Sequence, residues 1–383
     1  MTMISKLSSA LFPASILFAS WGATANVDTG PAAADVAVEE VATYERPWAA
    51  AFVPGTEVLV ITLKAGELRG IDTATGRQFA ITGAPQVDFG GQGGLGDVAF
   101  LPSEAAETVG SRTIYLSWAE AGEGDTRGAV VGRGTLNCVA GGDCAVEGLE
   151  VIWRQAPKVT GRGHYSHRIR FSPEERYMLV ASGDRQKMQP AQDTTNTLGS
   201  IVRLNLDGTP AEGNPLAGQG GVTAQIWSWG HRNILGMDWD AEGRLWEVEH
   251  GPAGGDELNL VKPGANYGWP ERSFGEHYNG DPIPDHAADD GFAQPAAHWT
   301  PVIAPGDMIF YRGEMFGGWK GDALITGLGS EALVRVEIDG ETAHEAARFP
   351  IGGRLRSIDE GPDGELWVLE DGEGARLLKV TPK

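Results

Sequence analysis

The side chains best suited to chemistry are concentrated in residues 229–270. This stretch holds a guanidinium beside an amide, a Gly-Pro corner, two adjacent carboxylates and a tyrosine, at Arg232-Asn233, Gly251-Pro252, Asp256-Glu257 and Tyr267. A guanidinium beside an amide suits a ligand with carbonyl or carboxylate oxygens. Carboxylates and backbone carbonyls are typical calcium ligands. We interpret the stretch as a loop system that holds an anion and a hard cation.

A candidate general base precedes this stretch. His164 follows two glycines, at the point where a loop meets the strand that we predict from about His167. A histidine there can take up a proton near neutral pH. The alternative is that His164 only caps the strand.

Two further motifs could contact an anion or a planar ligand. Arg354 and Arg356 have strand spacing i, i+2, which places both cations on one face, where they repel unless an anion lies between them. Gln92 stands among five glycines in residues 90–96, and its amide could bond a planar ligand. The segment lacks the Lys-Ser/Thr of a phosphate loop, so we do not expect nucleotide binding. The alternatives are solvated surface arginines and an ordinary glycine-rich turn.

The elements that position these residues are short strands. The chain has 55 glycines and 22 prolines among 383 residues, and apolar strands and turns recur, often ending in Asp-Gly as at 207–208 and 339–340. This pattern predicts an all-β fold, a six-bladed β-propeller with four-stranded antiparallel blades. A large β-sandwich is the alternative. Residues 185–197 and 271–300 interrupt the repeat, and we expect them to line one face.

The N-terminus predicts export. Residues 1–25 read as a signal peptide, with Lys6 before a short apolar run and a small-x-small cleavage pattern at 23–25. We expect residues 26–45 to form a flexible lead-in and residues 46–383 to form a single domain. The later sequence has no apolar run long enough to span a bilayer, which predicts a periplasmic or secreted protein.

The charge and the cysteines agree with that compartment. The formal net charge is −22, so no basic stripe is available for nucleic acid. Such acidity suits a cationic partner such as a basic cytochrome, although solubility explains it equally well. Cys138 and Cys144 predict a small disulfide-closed loop.

Seven motifs in order resemble the soluble quinoprotein sugar dehydrogenases, closest to the periplasmic aldose sugar dehydrogenases. They span most of the sequence from about Tyr44 to Lys379. The motifs are Gln-Gly-Gly-Leu from Gln92, His164 before Arg168, Gly-His-Arg-Asn at 230–233, Glu-His-Gly-Pro at 249–252, Gly-Gly-Asp-Glu at 254–257, Asn-Tyr-Gly-Trp-Pro at 266–270 and Arg-Leu-Arg at 354–356. The resemblance implies a six-bladed propeller that uses pyrroloquinoline quinone (PQQ) and calcium.

The resemblance also implies roles for individual residues. His164 would take the proton of the sugar's anomeric hydroxyl, and Arg232 would stabilise the oxyanion on the quinone that receives the hydride. The implied cofactor-binding residues are Gln92, Arg232, Asn233, Tyr278, Arg354, Arg356 and the position of Gly329. The implied calcium ligands are the carbonyls of Gly251 and Pro252 for the ion that polarises PQQ, and Glu257 with the Tyr267 carbonyl for a second ion.

One position departs from the family pattern. Gly329 stands where these proteins often have a lysine, so a cation expected near a cofactor carboxylate is missing. We expect oxidation of an aldose to its lactone, with electrons passed to an external acceptor such as a cytochrome or a quinone. The alternatives are a calcium-dependent lactonase, against which Arg232, Arg354 and Arg356 argue, and a non-catalytic ligand-binding propeller.

Overall fold

The structure is a computed structural model that describes residues 36–139 and 143–383. The signal peptide predicted for residues 1–25, and residues 26–35 of the predicted lead-in, lie outside the described residues. Among the described residues, no helix is long and apolar enough to cross a membrane.

The described residues form 26 strands and a few short 3₁₀ helices. In chain order the first strands are β1 (Val36–Tyr44), β2 (Pro47–Phe52), β3 (Val58–Leu63), β4 (Glu67–Asp72), β5 (Arg77–Thr82), β6 (Leu95–Phe100), β7 (Ser111–Ala121), β8 (Arg127–Cys138), β9 (Cys144–Arg154), β10 (Ser166–Phe171), β11 (Tyr177–Ser182), β12 (Ser200–Asn205) and β13 (Ile226–Trp229). The remainder are β14 (Ile234–Trp239), β15 (Leu245–Glu249), β16 (Ala253–Gly254), β17 (Asp256–Leu260), β18 (Gly275–Glu276), β19 (Ala297–Trp299), β20 (Pro305–Phe310), β21 (Ala323–Gly327), β22 (Ala332–Asp339), β23 (Thr342–Pro350), β24 (Leu355–Glu360), β25 (Leu366–Glu370) and β26 (Ala375–Pro382). The 3₁₀ helices are Pro102–Glu104, Gln189–Gln192, Ala217–Gln219 and Thr223–Gln225.

The strands assemble into four-stranded antiparallel units, which is the arrangement of β-propeller-type proteins. Four sheets have the orders β1-β26-β25-β24, β10-β11-β12-β13, β14-β15-β17-β19 and β20-β21-β22-β23. An eight-stranded sheet contains two further units, β2 to β5 and β6 to β9, which meet through a short parallel pairing of β5 with β9. A small ribbon of β16 and β18 stands apart from these units.

Burial distinguishes the inner strands of these units from the outer ones. β6 and β20 are buried along their whole length, whereas the outer strands β5 and β23 are largely exposed or half-buried. A strand covered on both faces reads as a near-continuous apolar run, and a strand at the rim does not. Each inner strand contacts the inner strand of the next unit along the chain, and the last contacts the first. These strands are β2, β6, β10, β14, β20 and β24. The loops that join these inner strands to their neighbours are therefore brought close together.

The N-terminal strand corrects one prediction. Val36–Tyr44, which we expected within a flexible lead-in, is strand β1 and pairs antiparallel with β26 over eight residue pairs. Ala42 and Tyr44 are buried against Leu377 and Trp367 of the same sheet. The acid-rich composition misled us because Glu39 and Glu40 are exposed, while the buried residues Ala42 and Tyr44 follow them at strand spacing.

The disulfide prediction is confirmed. Cys138 and Cys144 are bonded, and they are directly opposite each other at the ends of β8 and β9. The bond therefore closes the tip of a long hairpin that is already held by backbone pairing.

Candidate active site

A polar cavity of about 260 Å³ lies where the inner strands meet. Four of the residues singled out in the sequence line it, namely Gln92, Asn233, Arg354 and Arg356. Residues that sequence reasoning did not place there line it too, among them Lys64, His167, His250 and Asp371. These residues come from separate parts of the chain, and only the fold brings them together.

His164 lies beside this cavity, on the loop that enters β10. Its backbone N–H donates to Gln92 Oε1 at 2.7 Å, and its Nδ1 lies 2.7 Å from Asp184 Oδ1. His164, Ser166 and His167 all have positive φ, at 46°, 56° and 53°. Non-glycine residues rarely adopt this conformation, and such strain is typical of functional sites. The loop thus aims the imidazole at one fixed position.

The environment keeps the His164 imidazole neutral. Burial lowers its pKa, the hydrogen bond with Asp184 opposes this effect, and the nearby charge of Arg232 lowers the pKa further. Because Asp184 is an acceptor, Nδ1 carries the proton and Nε2 has the lone pair. No hydrogen bond to Nε2 comes from the described part of the chain. The imidazole can therefore accept a proton at Nε2.

Asp184 is the partner that sequence reasoning missed. Its Oδ1 also accepts from Gln186 N, and its Oδ2 accepts from Trp269 Nε1 at 2.8 Å. Burial alone would raise the pKa of Asp184, but these hydrogen bonds outweigh it and lower the pKa. Asp184 stands just after β11, immediately before the interrupting segment of residues 185–197. A carboxylate at the end of a buried strand was the signal that could have found it.

Arg232 is held between the cavity and the loop of residues 250–252. Its Nη1 donates to the His250 carbonyl at 3.1 Å and its Nη2 donates to Tyr278 Oη at 3.1 Å. Its backbone N–H donates to Glu249 Oε2 at 2.5 Å, whereas its buried Nε has no protein partner among the described residues. Tyr278 itself is 77% exposed. The guanidinium is thus rigidly placed and has an unused donor.

One wall of the cavity carries three cations and one carboxylate. Asp371 binds Arg356 at 3.1 Å and Arg354 at 3.4 Å. Lys64 Nζ donates to the Gly91 carbonyl at 3.0 Å, beside Gln92. The excess positive charge suits an anionic ligand. The prediction that Arg354 and Arg356 share a face is therefore confirmed, and their charges are only partly balanced.

The position of Gly329 does not reach the cavity. Its neighbour Leu328 lines the cavity instead, and the Leu328 carbonyl accepts from Arg354 Nη1 at 3.2 Å. A Cβ built on Gly329 would lie 3.1 Å from Ala304 Cβ. The turn therefore contributes a backbone carbonyl to the arginine wall and no side chain.

Three of the four proposed calcium residues, Gly251, Glu257 and Tyr267, border a second, very small cavity of about 10 Å³ that Arg232 and Glu249 also line. Asp256 holds the loop in place, because its Oδ1 accepts from Gly251 N at 2.9 Å and its Oδ2 accepts from Ala304 N at 2.6 Å. Gly251 is required here, since a Cβ would lie 2.2 Å from the Gly254 carbonyl oxygen. Pro252 follows directly and is buried.

Buried acidic groups adjoin this small cavity. Glu247, Glu249 and Glu257 project from β15 and β17, with His231 as the nearby basic group, and Nδ1 of His231 lies 3.2 Å from Glu249 Oε1. Burial raises the pKa of Glu247 to about 8 and also raises the pKa of Glu257. The buried atoms Glu247 Oε2 and Asn259 Oδ1 have no partner among the described residues. Buried oxygen acceptors that lack hydrogen-bond donors are suited to binding a hard cation.

His167, which lines the 260 Å³ cavity, is fully buried, bonded to Ser117 Oγ at 2.8 Å and stacked on Trp48. Burial lowers its pKa to about 3, so it stays neutral. Beneath it, Arg168 binds Asp97 at 3.0 Å and Asp307 at 3.2 Å. These two aspartates line a separate cavity of about 570 Å³.

Known proteins share this fold and this sequence pattern. Residues 44–379 match the family described as Glucose / Sorbosone dehydrogenase. The chain is 36% identical to the aldose sugar dehydrogenase YliI of Escherichia coli K12, over 88% of this chain and 91% of that protein. It also resembles the crystal structure of the apo-form of the soluble E. coli aldose sugar dehydrogenase, with a TM-score of 0.84, 35% identity and coverage of 91% and 100% of the two chains.

A further structure in this group contains the quinone. The PQQ-bound form of an aldose sugar dehydrogenase from Streptomyces coelicolor superposes with a TM-score of 0.73 at 28% identity, covering 92% of this chain and 99% of that one. The class of protein is therefore a β-propeller-type sugar dehydrogenase. The chain belongs to the glucose/sorbosone dehydrogenase family of soluble PQQ-dependent sugar dehydrogenases.

Proposed function

We propose that this protein oxidises aldose sugars to lactones, using PQQ and calcium, and passes the electrons to an external acceptor. The observation that carries the proposal is the neutral, buried His164, fixed by Asp184 and Gln92 beside a cavity with three cations on one wall. A proton acceptor beside an anion-binding cavity is what such a reaction requires. The names of the E. coli and S. coelicolor relatives support the choice of substrate and cofactor.

The residues present fit PQQ, which is planar and carries carboxylates. Gln92 and Asn233 would bond the ring system from the cavity wall, and Arg354 and Arg356 would pair with carboxylates. Tyr278, which is exposed and bonded to Arg232, would lie at the mouth of the site. Gly329 would contribute only through its turn, because its neighbour Leu328 holds Arg354.

The residues also fit calcium. The carbonyls of Gly251 and Pro252 would hold the ion next to the cofactor, on a loop that Asp256 fixes. Glu257 and the Tyr267 carbonyl would hold a second ion, close to the unpartnered acceptors of Glu247 and Asn259.

The chain's own groups handle the proton and the charge. Bound PQQ would supply the quinone that accepts a hydride, and bound calcium would polarise it. His164 takes the proton of the anomeric hydroxyl at Nε2, and Asp184 stabilises the imidazolium that results. Arg232 supplies a fixed positive charge for the negative charge that develops opposite the sugar. Its rigid bonds to the His250 carbonyl and to Tyr278 mean that little reorganisation is needed.

Three broader assignments accompany this function. We assign the four-stranded units as the blades of a six-bladed propeller, supported by the closed succession of contacts among their inner strands. We also propose a periplasmic or secreted location after removal of residues 1–25. The electron acceptor is a separate molecule, such as a cytochrome or a quinone.

Reconstitution tests the proposal. The mature protein with PQQ and Ca²⁺ is expected to reduce a dye in the presence of glucose or another aldose, and His164→Ala to lower kcat by about 10²- to 10⁴-fold. PQQ absorbance titration is expected to be unchanged in that variant. His344→Ala, at an exposed histidine on β23, is the control.

Two outcomes would contradict the proposal. Wild-type protein that neither shifts PQQ absorbance nor oxidises any sugar of a broad aldose panel is not a quinoprotein sugar dehydrogenase. Lactone hydrolysis without PQQ would assign the lactonase activity instead.

A further inference from the structure

Lys64 is a cationic residue of the cavity that the family motifs do not include. It follows β3 directly, and its backbone is fixed on both sides, since its N–H donates to the Arg46 carbonyl at 2.9 Å and its carbonyl accepts from Leu95 N at 3.0 Å. Its Nζ donates to the Gly91 carbonyl at 3.0 Å, next to Gln92. The ammonium is thereby held at the cavity wall that also carries Arg354 and Arg356.

The charges on this wall are not balanced by protein groups. Asp371 binds both arginines. Among the described residues that line the cavity, it is the only one with a carboxylate. Burial lowers the pKa of Lys64, the charge of Arg356 lowers it further, and Asp371 opposes both effects. Three cations facing one carboxylate repel each other, and an anionic ligand would relieve that repulsion.

Lys64 also has unused hydrogen-bonding capacity. An ammonium has three donors, and the protein contact made by this one among the described residues is the bond to Gly91. Gly329, the position at which the family resemblance implies a lysine, offers no side chain and does not line the cavity. The two positions belong to different four-stranded units, β2 to β5 for Lys64 and β20 to β23 for Gly329.

We infer that Lys64 binds a carboxylate of the quinone cofactor and replaces, from another unit of the fold, the cation that is missing at Gly329. This inference rests on the proposed function. It identifies Lys64 as a cofactor-binding residue of this chain and explains how a chain with glycine at 329 retains a cationic wall. It also predicts that the affinity for PQQ depends on the Lys64 side chain, whereas the ability of His164 to accept a proton does not depend on it.

The test is a titration of the calcium-loaded protein with PQQ, followed by absorbance and tryptophan fluorescence. Lys64→Met is expected to raise the Kd for PQQ by about 10- to 100-fold, the size of one lost charge-assisted bond. Lys64→Arg keeps the charge and is expected to stay within about threefold of wild type. Lys320→Met, at an exposed lysine paired with Glu314, is the matched control.

The trimethyl ester of PQQ separates charge from shape. Because the ester has no anionic carboxylates, we expect wild type and Lys64→Met to bind it with the same Kd. Thermal unfolding of each variant reports whether it is folded, and Lys64→Gln is the second neutral variant. If wild type binds PQQ and both neutral variants bind it equally tightly, the role of Lys64 is wrong and the proposed function stands. If wild type shows no saturable PQQ binding, both fail.

Discussion

The proton-accepting role proposed for His164 needs a defined tautomer, and the hydrogen bonds of Asp184 define it. Asp184 accepts from His164 Nδ1, Gln186 N, Trp269 Nε1 and Met188 N, so both carboxylate oxygens face donors only. Both oxygens of a carboxylate accept hydrogen bonds, whereas an amide has one accepting oxygen and one donating NH₂ group. The proton on Nδ1, and hence the lone pair on Nε2, is therefore fixed by a network that extends in sequence from His164 to Trp269.

Asp184→Asn tests this arrangement. The new amide N–H₂ must face a donor, and if it faces His164 it imposes the wrong tautomer. We expect kcat to fall roughly 10²- to 10⁴-fold with little change in the Kd for PQQ, measured by steady-state kinetics and absorbance titration. The control is Asp193→Asn in an exposed turn. A variant that lost PQQ binding and kept kcat would show that Asp184 only shapes the cavity.

The pH profile of the wild type belongs to the same prediction. In the proposed reaction His164 must be neutral to accept a proton, and burial lowers its pKa below the usual 6.5. Activity should therefore persist as the pH falls through 6.5 and decline only as the pH falls through the depressed pKa. A kcat/KM profile that halves at or above pH 6.5 would contradict the lowered pKa.

At the scale of elements, one pair of strands concentrates buried carboxyl groups. Glu247 on β15 is opposite Asn259 on β17, and Glu249 is opposite Glu257. Directly opposed residues on one sheet face are about 5 Å apart, so like charges there destabilise the pair. The hairpin tolerates these groups because His231 and backbone N–H groups offset part of the charge, and a bound cation would offset more.

Calcium is therefore expected to stabilise this hairpin. Addition of Ca²⁺ to about 100 times its Kd should raise the thermal unfolding midpoint of chelator-treated protein by about 5 °C. Glu257→Gln should abolish most of that increase, because it removes a charged ligand, whereas Glu314→Gln at an exposed ion pair should preserve it. Identical unfolding midpoints with chelator and with Ca²⁺ would rule out a structural ion at this position.

At the scale of the whole molecule, one buried side chain touches all the inner strands. Arg168 on β10 bonds Asp97 on β6, the Leu235 carbonyl on β14, and both Asp307 and the Gly306 carbonyl on β20. Its guanidinium also bonds the Arg356 carbonyl on β24 at 3.4 Å and lies 4.1 Å from the ring of Trp48 on β2. This contact set connects every unit.

Arg168→Met should therefore destabilise the whole fold. Removing the cation leaves buried carboxylates at Asp97 and Asp307 with less compensation, which costs about 3–5 kcal/mol for a buried pair. The free energy of unfolding in urea measures this loss. Arg348→Met, which breaks a partly exposed pair with Glu345, should cost no more than about 1 kcal/mol. Equal losses in the two variants would show that the network contributes no more than a surface pair.

The sequence by itself determined much of this protein. The recurrent strands and turns predicted an all-β fold. The local spacing of apolar residues shows whether a strand is buried on one face or on both. The ordered motifs singled out His164, Arg232 and the Arg354–Arg356 pair, because turn and ligand chemistry require particular residue types at short separations. The acidic strand β1 was misread, since its partner β26 lies at the other end of the chain.

Only the tertiary structure decided which residues meet. Asp184 and His164 meet across the ends of β10 and β11, whereas Lys64 near Arg356, and Arg168 between Asp97 and Asp307, bring separate units together. No local period encodes such pairs, because their distance depends on how the inner strands close on one another. The excess of positive charge in the cavity, and the lowered pKa of His164, therefore became visible only after packing had placed those groups and removed them from water.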